Sequence, residues 1–201
     1  MPYGILMFSY NPDNRHSTMW KWAFKHNVFS DEEIDNIIAA AKKIPTEKGK
    51  IGESLKTNKL RKSDIKWFMP NQSDNMWIFN RISNEIDYLN KEFYNFDLYG
   101  FCDIQYTTYK PGNYYDWHMD TFMGPKNKPY PIRKLSATIA LNDDYEGGEF
   151  EFYNGNQPAD IPEIKKGSII VFPSTSWHRI TPVTKGTRIS LVTWLTGPLF
   201  R

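Results

Sequence analysis

Apolar residues recur at helical spacing in two segments of the first half of the chain. The first stripe consists of Ile34, Ile37, Ile38 and Ala41. Ser30 followed by Glu33 is the capping box that begins a helix, and Pro45 ends it. The second stripe, in a helix predicted over residues 71–93, consists of Ile78, Ile82, Ile86, Leu89 and Phe93. Each stripe forms one apolar face, so we expect both helices to pack against a sheet.

From residue 101 the pattern changes to short apolar runs that are separated by turn residues. The runs are 101–109, 115–120, 134–141, 149–153, 168–172, 177–182 and 187–195. Runs of this length, bounded by glycine, proline and asparagine, are typical of strands. Many short strands after two helices predict a mostly β protein with flanking helices (α+β), in which a double-sheet jelly roll has both helices packed outside.

Two segments interrupt this pattern. Residues 46–69 form the least regular region and carry several lysines, which is typical of a solvated basic loop. Residues 121–132 contain three prolines and begin next to Asp120. A plain long connection would account for them, but a loop that leaves directly from Asp120 favours a lid over whatever that residue binds.

The chain of 201 residues is long enough for one domain with its own core. It contains neither an internal repeat nor a linker. We therefore expect a single domain over residues 1–201, with helical support and a substrate loop in 1–95 and the jelly-roll core in 96–201. The aromatic share of 16% fits either a β-rich core or an aromatic-lined cleft.

The net charge of +2 is too small to favour a nucleic acid or an anionic membrane as partner. No apolar run approaches the roughly 20 residues of a membrane span, and the short apolar stretch 4–8 lacks the basic leader of a secretory signal. The single cysteine, Cys102, excludes an intramolecular disulfide and suits a reducing cytoplasm. We expect a cytoplasmic protein, and no pattern predicts an oligomeric state.

The candidate chemistry begins with His118 and Asp120, which point to the same face if they lie on a strand. Such pairs often arise by chance and are usually a surface hydrogen bond. His178 follows the apolar run 168–172 and adds a third donor. Two histidines and one aspartate can hold one side of an octahedral ion and leave the other side open, as in non-haem Fe(II) oxygenases. Arg188 opens the next run, and its planar fork can bind a carboxylate.

These residues lie in segments that resemble the Fe(II)/2-oxoglutarate-dependent dioxygenases, and among them the prolyl-4-hydroxylase-like branch. The matching segments, in the family's order and spacing, are 109–120, 135–142, 146–150 and 166–168, together with His178 and Arg188. The resemblance implies a double-stranded β-helix (jelly roll, cupin-like). It also implies that His118, Asp120 and His178 are the catalytic metal ligands.

The resemblance implies further contacts with 2-oxoglutarate. Arg188 would bind its distal carboxylate. Tyr109 would donate a hydrogen bond to a cosubstrate carboxylate, although a core aromatic is the alternative. Thr138 and Val192 would line the cosubstrate pocket. Because Val192 stands where some relatives carry a threonine, Ser190 or Thr138 would replace that contact.

Substrate-side residues follow from the same resemblance. Residues 60–67 resemble a segment that helps to hold substrate beside the active-site mouth, so Arg61 would contact substrate unless the segment is only a solvated loop. Trp194 matches a tryptophan near the metal and would form a wall of the substrate pocket. Aromatic residues next to the ligands would either stack on a proline ring or only pack, and these are Tyr114, Tyr115, Trp117 and Trp177.

The implied reaction is hydroxylation of a substrate C–H with release of succinate and CO2. It uses Fe(II), 2-oxoglutarate and O2, with ascorbate as a possible accessory reductant. A prolyl residue in a peptide or protein is the favoured substrate, and the alternatives are a free amino acid, another small molecule, or an arginyl or asparaginyl side chain. A second hypothesis is a non-catalytic cupin-like protein that holds Zn(II) or no metal. A structural zinc site usually closes four ligands, and this sequence offers three.

Overall fold

The computed structural model describes residues 20–49, 60–71, 73–101, 103–121 and 131–198. Helix α1 (Asp31–Lys42) begins at Ser30, whose hydroxyl accepts a hydrogen bond from the backbone N–H of Glu33. The Glu33 carboxylate accepts one in return from the backbone N–H of Ser30. The predicted capping box is therefore confirmed.

Helix α2 (Met76–Phe93) follows a single 3-10 turn over Ser73–Asn75. The first residues of the predicted helix thus form a tighter turn, and α2 itself begins later than residue 71. The apolar faces of α1 and α2 are buried against one side of the larger sheet. No helix among the described residues is both long and apolar enough to cross a membrane.

The strands of the described residues are short and antiparallel. They are β1 (Ala23–Lys25), β2 (Glu47–Lys48), β3 (Arg61–Lys62), β4 (Asp64–Phe68), β5 (Ile104–Tyr109), β6 (Tyr114–His118), β7 (Arg133–Ala140), β8 (Glu146–Gly147), β9 (Phe150–Phe152), β10 (Ile169–Pro173), β11 (His178–Ile180), β12 (Val183–Lys185) and β13 (Arg188–Thr196). The larger sheet has the order β1-β10-β7-β13-β5-β4-β2, and the smaller sheet has the order β3-β6-β11-β9. Strands β12 and β8 form a separate pair. The predicted jelly roll with outer helices is confirmed.

The larger sheet has one apolar and one polar face, and both are buried. The residues of its central strands that face the helices are Ile104, Tyr106, Leu135, Ala137, Ile139, Leu191 and Leu195. The alternate residues on the same strands are Gln105, Ser136, Thr138, Arg188 and Ser190. Alternation along a strand sends these two sets to opposite faces. A buried polar face requires partners, and this one lines a cavity between the two sheets.

The loop interpretation of residues 46–69 is wrong for Glu47–Lys48, Arg61–Lys62 and Asp64–Phe68, which form β2, β3 and β4. Strand β3 pairs with β6 in the smaller sheet, and β4 pairs with β5 in the larger one. Only Ser63 separates them, so the chain crosses between the sheets at this residue. Each strand is too short to leave a clear alternation in the sequence, which is why the loop interpretation fails.

Several predictions concern residues that the structure describes only in part. Cys102 and residues 122–130 of the predicted lid lie outside the described residues. Strands β1–β4 precede residue 96, so both sheets reach into the segment that the sequence assigns to helical support. The single domain, the lid and the cytoplasmic location stay predictions.

Candidate metal centre

Three separate elements bring the predicted metal-binding side chains together. His118 ends β6 and His178 begins β11, and the two are direct partners in the antiparallel register. Asp120 lies beyond β6, so the predicted strand 115–120 is too long by its last two residues. The backbone N–H of Asp120 donates to the carbonyl of Ser174 at 2.9 Å. This bond turns the chain after His118, so a turn, and not strand alternation, brings Asp120 beside the histidines.

The donor atoms of His118, Asp120 and His178 all lie within 4.8 Å of one another. Nε2 of His118 is 3.6 Å from Oδ1 of Asp120, and Nε2 of His178 is 3.6 Å from Oδ2. The carboxylate therefore faces both imidazoles at once. These separations exceed a hydrogen bond, and they leave a space between the three side chains.

Hydrogen bonds on the far sides of the rings orient both imidazoles. Nδ1 of His118 lies 2.8 Å from the carbonyl oxygen of Asp116, and Nδ1 of His178 lies 2.9 Å from that of Ser176. A carbonyl only accepts, so each Nδ1 carries the proton and each Nε2 presents a lone pair. Oδ2 of Asp120 is buried without a hydrogen-bond partner. Two lone pairs and an unpartnered carboxylate oxygen that face one space fit a metal ion.

The electrostatics of the three side chains suit a cation. Burial, together with a smaller contribution from the nearby His178, lowers the pKa of His118 to about 4. His118 is therefore neutral near pH 7 and keeps its lone pair. Burial alone would raise the pKa of Asp120, but the two imidazoles, with smaller contributions from Ser136 and Arg133, outweigh burial and lower it. The carboxylate is ionised.

Aromatic stacking surrounds the two imidazoles. The ring of Tyr115 lies flat on His118, with centroids 3.5 Å apart and planes at 10°. The ring of Phe150 lies against His178 at 5.4 Å and 22°. The guanidinium of Arg61 covers the Tyr115 ring at 4.8 Å. Each ligand ring is thus held by a backbone carbonyl at its edge and by an aromatic ring on its face.

Arg188 lies deep in the same cavity and is 3% exposed. Its Nη1 donates to the hydroxyl of Ser190 at 3.1 Å, and its Nε is buried without a partner. Tyr109 is its register partner across β5 and β13, and the guanidinium lies 5.7 Å from that ring. A Cβ added to Gly148, which has φ +66°, would lie 3.2 Å from Cδ of Arg188 and 2.9 Å from Cγ2 of Val183. Gly148 therefore leaves room for the arginine.

Of the four aromatic residues considered for stacking on substrate, only Tyr115 lines the cavity between the sheets. This cavity gathers the other site residues predicted from the sequence. These are Arg61, Tyr109, His118, Asp120, Thr138, His178, Arg188, Ser190 and Trp194, and Val192 lines it as well. The sequence analysis missed Gln105, Phe150 and Ile180. Gln105 and Tyr109 lie on the same face of β5, so strand alternation could have identified Gln105. Phe150 and Ile180 resemble ordinary apolar strand residues, and nothing in the sequence distinguishes them.

Trp194 forms one side of this cavity beside a second guanidinium. The guanidinium of Arg133 lies over its ring at 4.0 Å. The indole Nε1 of Trp194 is buried without a hydrogen-bond partner. Burial lowers the pKa of Arg133, and the nearby Asp120 and Asp103 act against that shift.

A jelly roll that directs two histidines and one aspartate into a buried cavity belongs to the class of facial-triad metal proteins. The family profile described as the 2OG-Fe(II) oxygenase superfamily matches residues 104–196. A PKHD-type hydroxylase of Alteromonas mediterranea is 37% identical over 94 residues, which are 45% of this chain and 41% of that protein. The chain therefore spans less than half the length of this curated relative.

Solved structures share the fold over most of the chain. The viral collagen prolyl hydroxylase of Paramecium Bursaria Chlorella virus-1, in its 2OG complex, has a TM-score of 0.67 and 27% identity, over 89% of this chain and 97% of that one. A prolyl hydroxylase of Trichoplax adhaerens, in complex with a hypoxia inducible factor oxygen degradation domain peptide fragment, has a TM-score of 0.71 and 15% identity, over 88% and 84%. Residues 104–196 are therefore similar to the 2OG-Fe(II) oxygenase superfamily, and the fold of the chain is that of the prolyl-4-hydroxylase-like structures.

Proposed function

We propose that this protein is a Fe(II)- and 2-oxoglutarate-dependent dioxygenase that hydroxylates a C–H of a prolyl residue in a peptide or protein. One observation carries the proposal: the donor atoms of His118, Asp120 and His178 meet in the buried cavity that also contains Arg188. With 2-oxoglutarate bound, Fe(II) would supply the oxidising chemistry, in which O2 gives one oxygen atom to succinate and one to the substrate hydroxyl while CO2 is released.

The three ligands would hold the ion with little rearrangement. The carbonyls of Asp116 and Ser176 fix the imidazoles of His118 and His178 with Nε2 inward, and such supporting bonds keep ligands oriented. The carboxylate of Asp120 would contribute one negative charge and satisfy its unpartnered oxygen. Three ligands on one side leave the other side for the cosubstrate and O2.

Arg188 would seat the far carboxylate of 2-oxoglutarate. Ser190 orients the guanidinium through Nη1, and the buried Nε is a donor without a partner. An oriented fork with such a donor suits a carboxylate. Tyr109 and Thr138 line the same part of the cavity and offer hydroxyl groups. They would complete the polar contacts of a diacid that the arginine anchors.

Apolar residues would keep water away from the reacting atoms. Phe150 and Ile180 line the cavity, and Phe152 and Phe172 pack behind them. A dry cavity strengthens the electrostatic contacts inside it. This arrangement suits a reaction in which the oxidising species must react with substrate before it reacts with water.

The prolyl substrate is supported by the likeness to prolyl hydroxylases and by an aromatic residue that lines the cavity. One of the solved neighbours is described as a complex with a peptide fragment, so a peptide or protein partner is part of the proposal. Trp194 lines the cavity and offers an aromatic surface that a pyrrolidine ring could contact. A free amino acid remains the alternative substrate, because Arg61 places a cation in the cavity.

The deciding experiment incubates the protein with Fe(II) and 2-oxoglutarate without oxygen, admits O2 and measures succinate, with proline-containing peptides present or absent. Mass spectrometry should find one added oxygen atom on proline. His178→Ala should abolish succinate formation, and His26→Ala, which removes an exposed histidine that bonds to Ser168, should not. If the wild-type protein binds the metal but forms no succinate with any peptide, the cupin-like binding protein is the better interpretation.

A further inference from the structure

Arg61 is a buried cation for which the described part of the chain offers no anionic partner. It is 6% exposed and lines the cavity. Its Nε donates to the hydroxyl of Ser63 at 2.8 Å. Among the described residues, no carboxylate forms an ion pair with this guanidinium. A buried charge destabilises the fold unless an opposite charge lies beside it. An anionic ligand in the cavity would therefore stabilise this side chain.

The guanidinium of Arg61 lies close to the reacting centre. It covers one aromatic ring, that of Tyr115, at 4.8 Å. The same ring lies 3.5 Å from the imidazole of His118. The Tyr115 ring therefore contacts both the guanidinium and a proposed metal ligand. A substrate group bound by Arg61 would bring the carbon atoms next to it close to the metal.

The charges that line the cavity leave Arg61 unbalanced. In the proposed function, the divalent ion and Arg188 carry three positive charges, which the carboxylate of Asp120 and the dianionic 2-oxoglutarate balance with three negative ones. The nearby Arg133 does not line the cavity and lies in the field of Asp103 and Asp120. The one lining charge that remains is positive and belongs to Arg61.

We propose that Arg61 binds a carboxylate of the substrate. The terminal nitrogens of an arginine match two carboxylate oxygens in a planar fork, and Ser63 and the Tyr115 ring already fix the orientation of this fork. The inference rests on the proposed function and narrows its substrate to an amino-acid unit with a nearby carboxylate. That unit is a free amino acid, the C-terminal residue of a peptide, or a residue next to an aspartate or glutamate.

Matched acids and amides test this directly on the wild-type protein. The first pair is L-proline and L-prolinamide, and the second is one peptide with a C-terminal proline as free acid or as amide. The third is a peptide with an internal proline next to glutamate or glutamine. Succinate formation should give a KM for the acid that is roughly 10- to 100-fold lower than for its amide in at least one pair. The pair that shows the preference identifies the source of the carboxylate.

Variants assign that preference to Arg61. Arg61→Gln should bring the acid and the amide to similar KM values, and Arg61→Lys should keep part of the difference because it keeps the charge without the fork. Lys62→Gln is the matched control, since it removes an exposed charge from the next position of the same strand. Co(II) binding and thermal unfolding check that each variant is folded with an intact metal site.

The same pairs are measured by calorimetry on protein loaded with Co(II) and 2-oxoglutarate, which gives the comparison without turnover. Equal affinity for acid and amide in every pair contradicts the carboxylate site, and so does an acid preference that survives in folded Arg61→Gln. The proposed function fails differently: the wild-type protein would then form no succinate, whichever member of a pair is present.

Discussion

His118 and His178 are direct partners across β6 and β11, and their ring centroids lie 4.1 Å apart. The distance between the proposed metal ligands is therefore set by strand pairing in the smaller sheet. Asp120 closes the site from a turn whose backbone is bonded to Ser174. The site depends on the register of two strands and on one backbone hydrogen bond.

Asp120→Asn should abolish most of the metal affinity while keeping the shape of the side chain. The two imidazoles would lose the negative charge that faces both of them. Since loss of even a supporting contact weakens metal binding by about 10- to 100-fold, we expect a fall of at least roughly 100-fold. Co(II) titration measures it, and Asp87→Asn, in the exposed pair with Lys91, is the control. Wild-type affinity in Asp120→Asn would contradict the assignment.

Arg188→Ala should raise the KM for 2-oxoglutarate roughly 10- to 100-fold, because a charge-assisted hydrogen bond to the diacid is lost. Metal affinity should change little, since Arg188 contacts none of the three ligands among its described hydrogen bonds. Arg179→Ala is the control, because that arginine pairs with Glu151 and lies over Trp117. An unchanged KM would remove the assigned role, and a large loss of metal affinity would reassign Arg188 to the metal site.

Periodicity in the sequence was enough to predict the jelly roll and its two outer helices, because long apolar stripes and repeated short runs are local signals. The spacing of His118, Asp120 and His178 was enough to propose their meeting. The strand that was expected to carry Asp120 ends at His118, because the bond to Ser174 depends on a residue far away in the chain. Such a contact leaves no trace in local sequence.

Strands β3 and β4 also depend on tertiary contacts that the local sequence does not reveal. Arg61 looks like one more charge in a lysine-rich segment, yet pairing of β3 with β6 buries it beside Tyr115. Only the tertiary fold decides which charges of a basic segment face water and which face a cavity. The family resemblance identified Arg61 as a candidate where composition alone would have assigned it to solvent.

Ser30→Ala should destabilise the fold by about 1 kcal/mol, the usual cost of losing an N-cap. The hydroxyl accepts from Glu33, and α1 packs on the larger sheet, so fraying of this helix exposes core residues. Urea unfolding measures the change. Ser83→Ala, at an exposed position inside α2, should change stability by no more than about 0.5 kcal/mol. A similar loss in both variants would show that the cap is not responsible.

Tyr115→Ala should weaken metal binding about tenfold, because the ring that lies flat on His118 would be replaced by a gap in which the imidazole can tilt. Tyr115→Phe keeps the ring and should bind Co(II) with nearly wild-type affinity. A loss in Tyr115→Phe equal to that in Tyr115→Ala would instead indicate that the hydroxyl, and not the stacked ring, supports the site.

Asp64→Asn should destabilise the protein at neutral pH and not in strong acid. A hydrogen bond from Lys48 holds the pKa of Asp64 below its ordinary value of 3.8, with Lys110 adding to the effect against the opposing influence of burial. Below that ordinary value the unfolded chain binds a proton before the folded one, so the stabilising contribution is present above pH 3.8 and is lost as pH falls through the folded pKa. Because both lysines are largely exposed, we expect only about 0.5–1 kcal/mol at pH 7. Urea unfolding from pH 7 to pH 2 measures the difference in the free energy of unfolding between wild type and variant, and this difference should shrink in the acid range.

A difference that stays constant with pH would show that the amide disturbs packing and that the ion pairs contribute nothing.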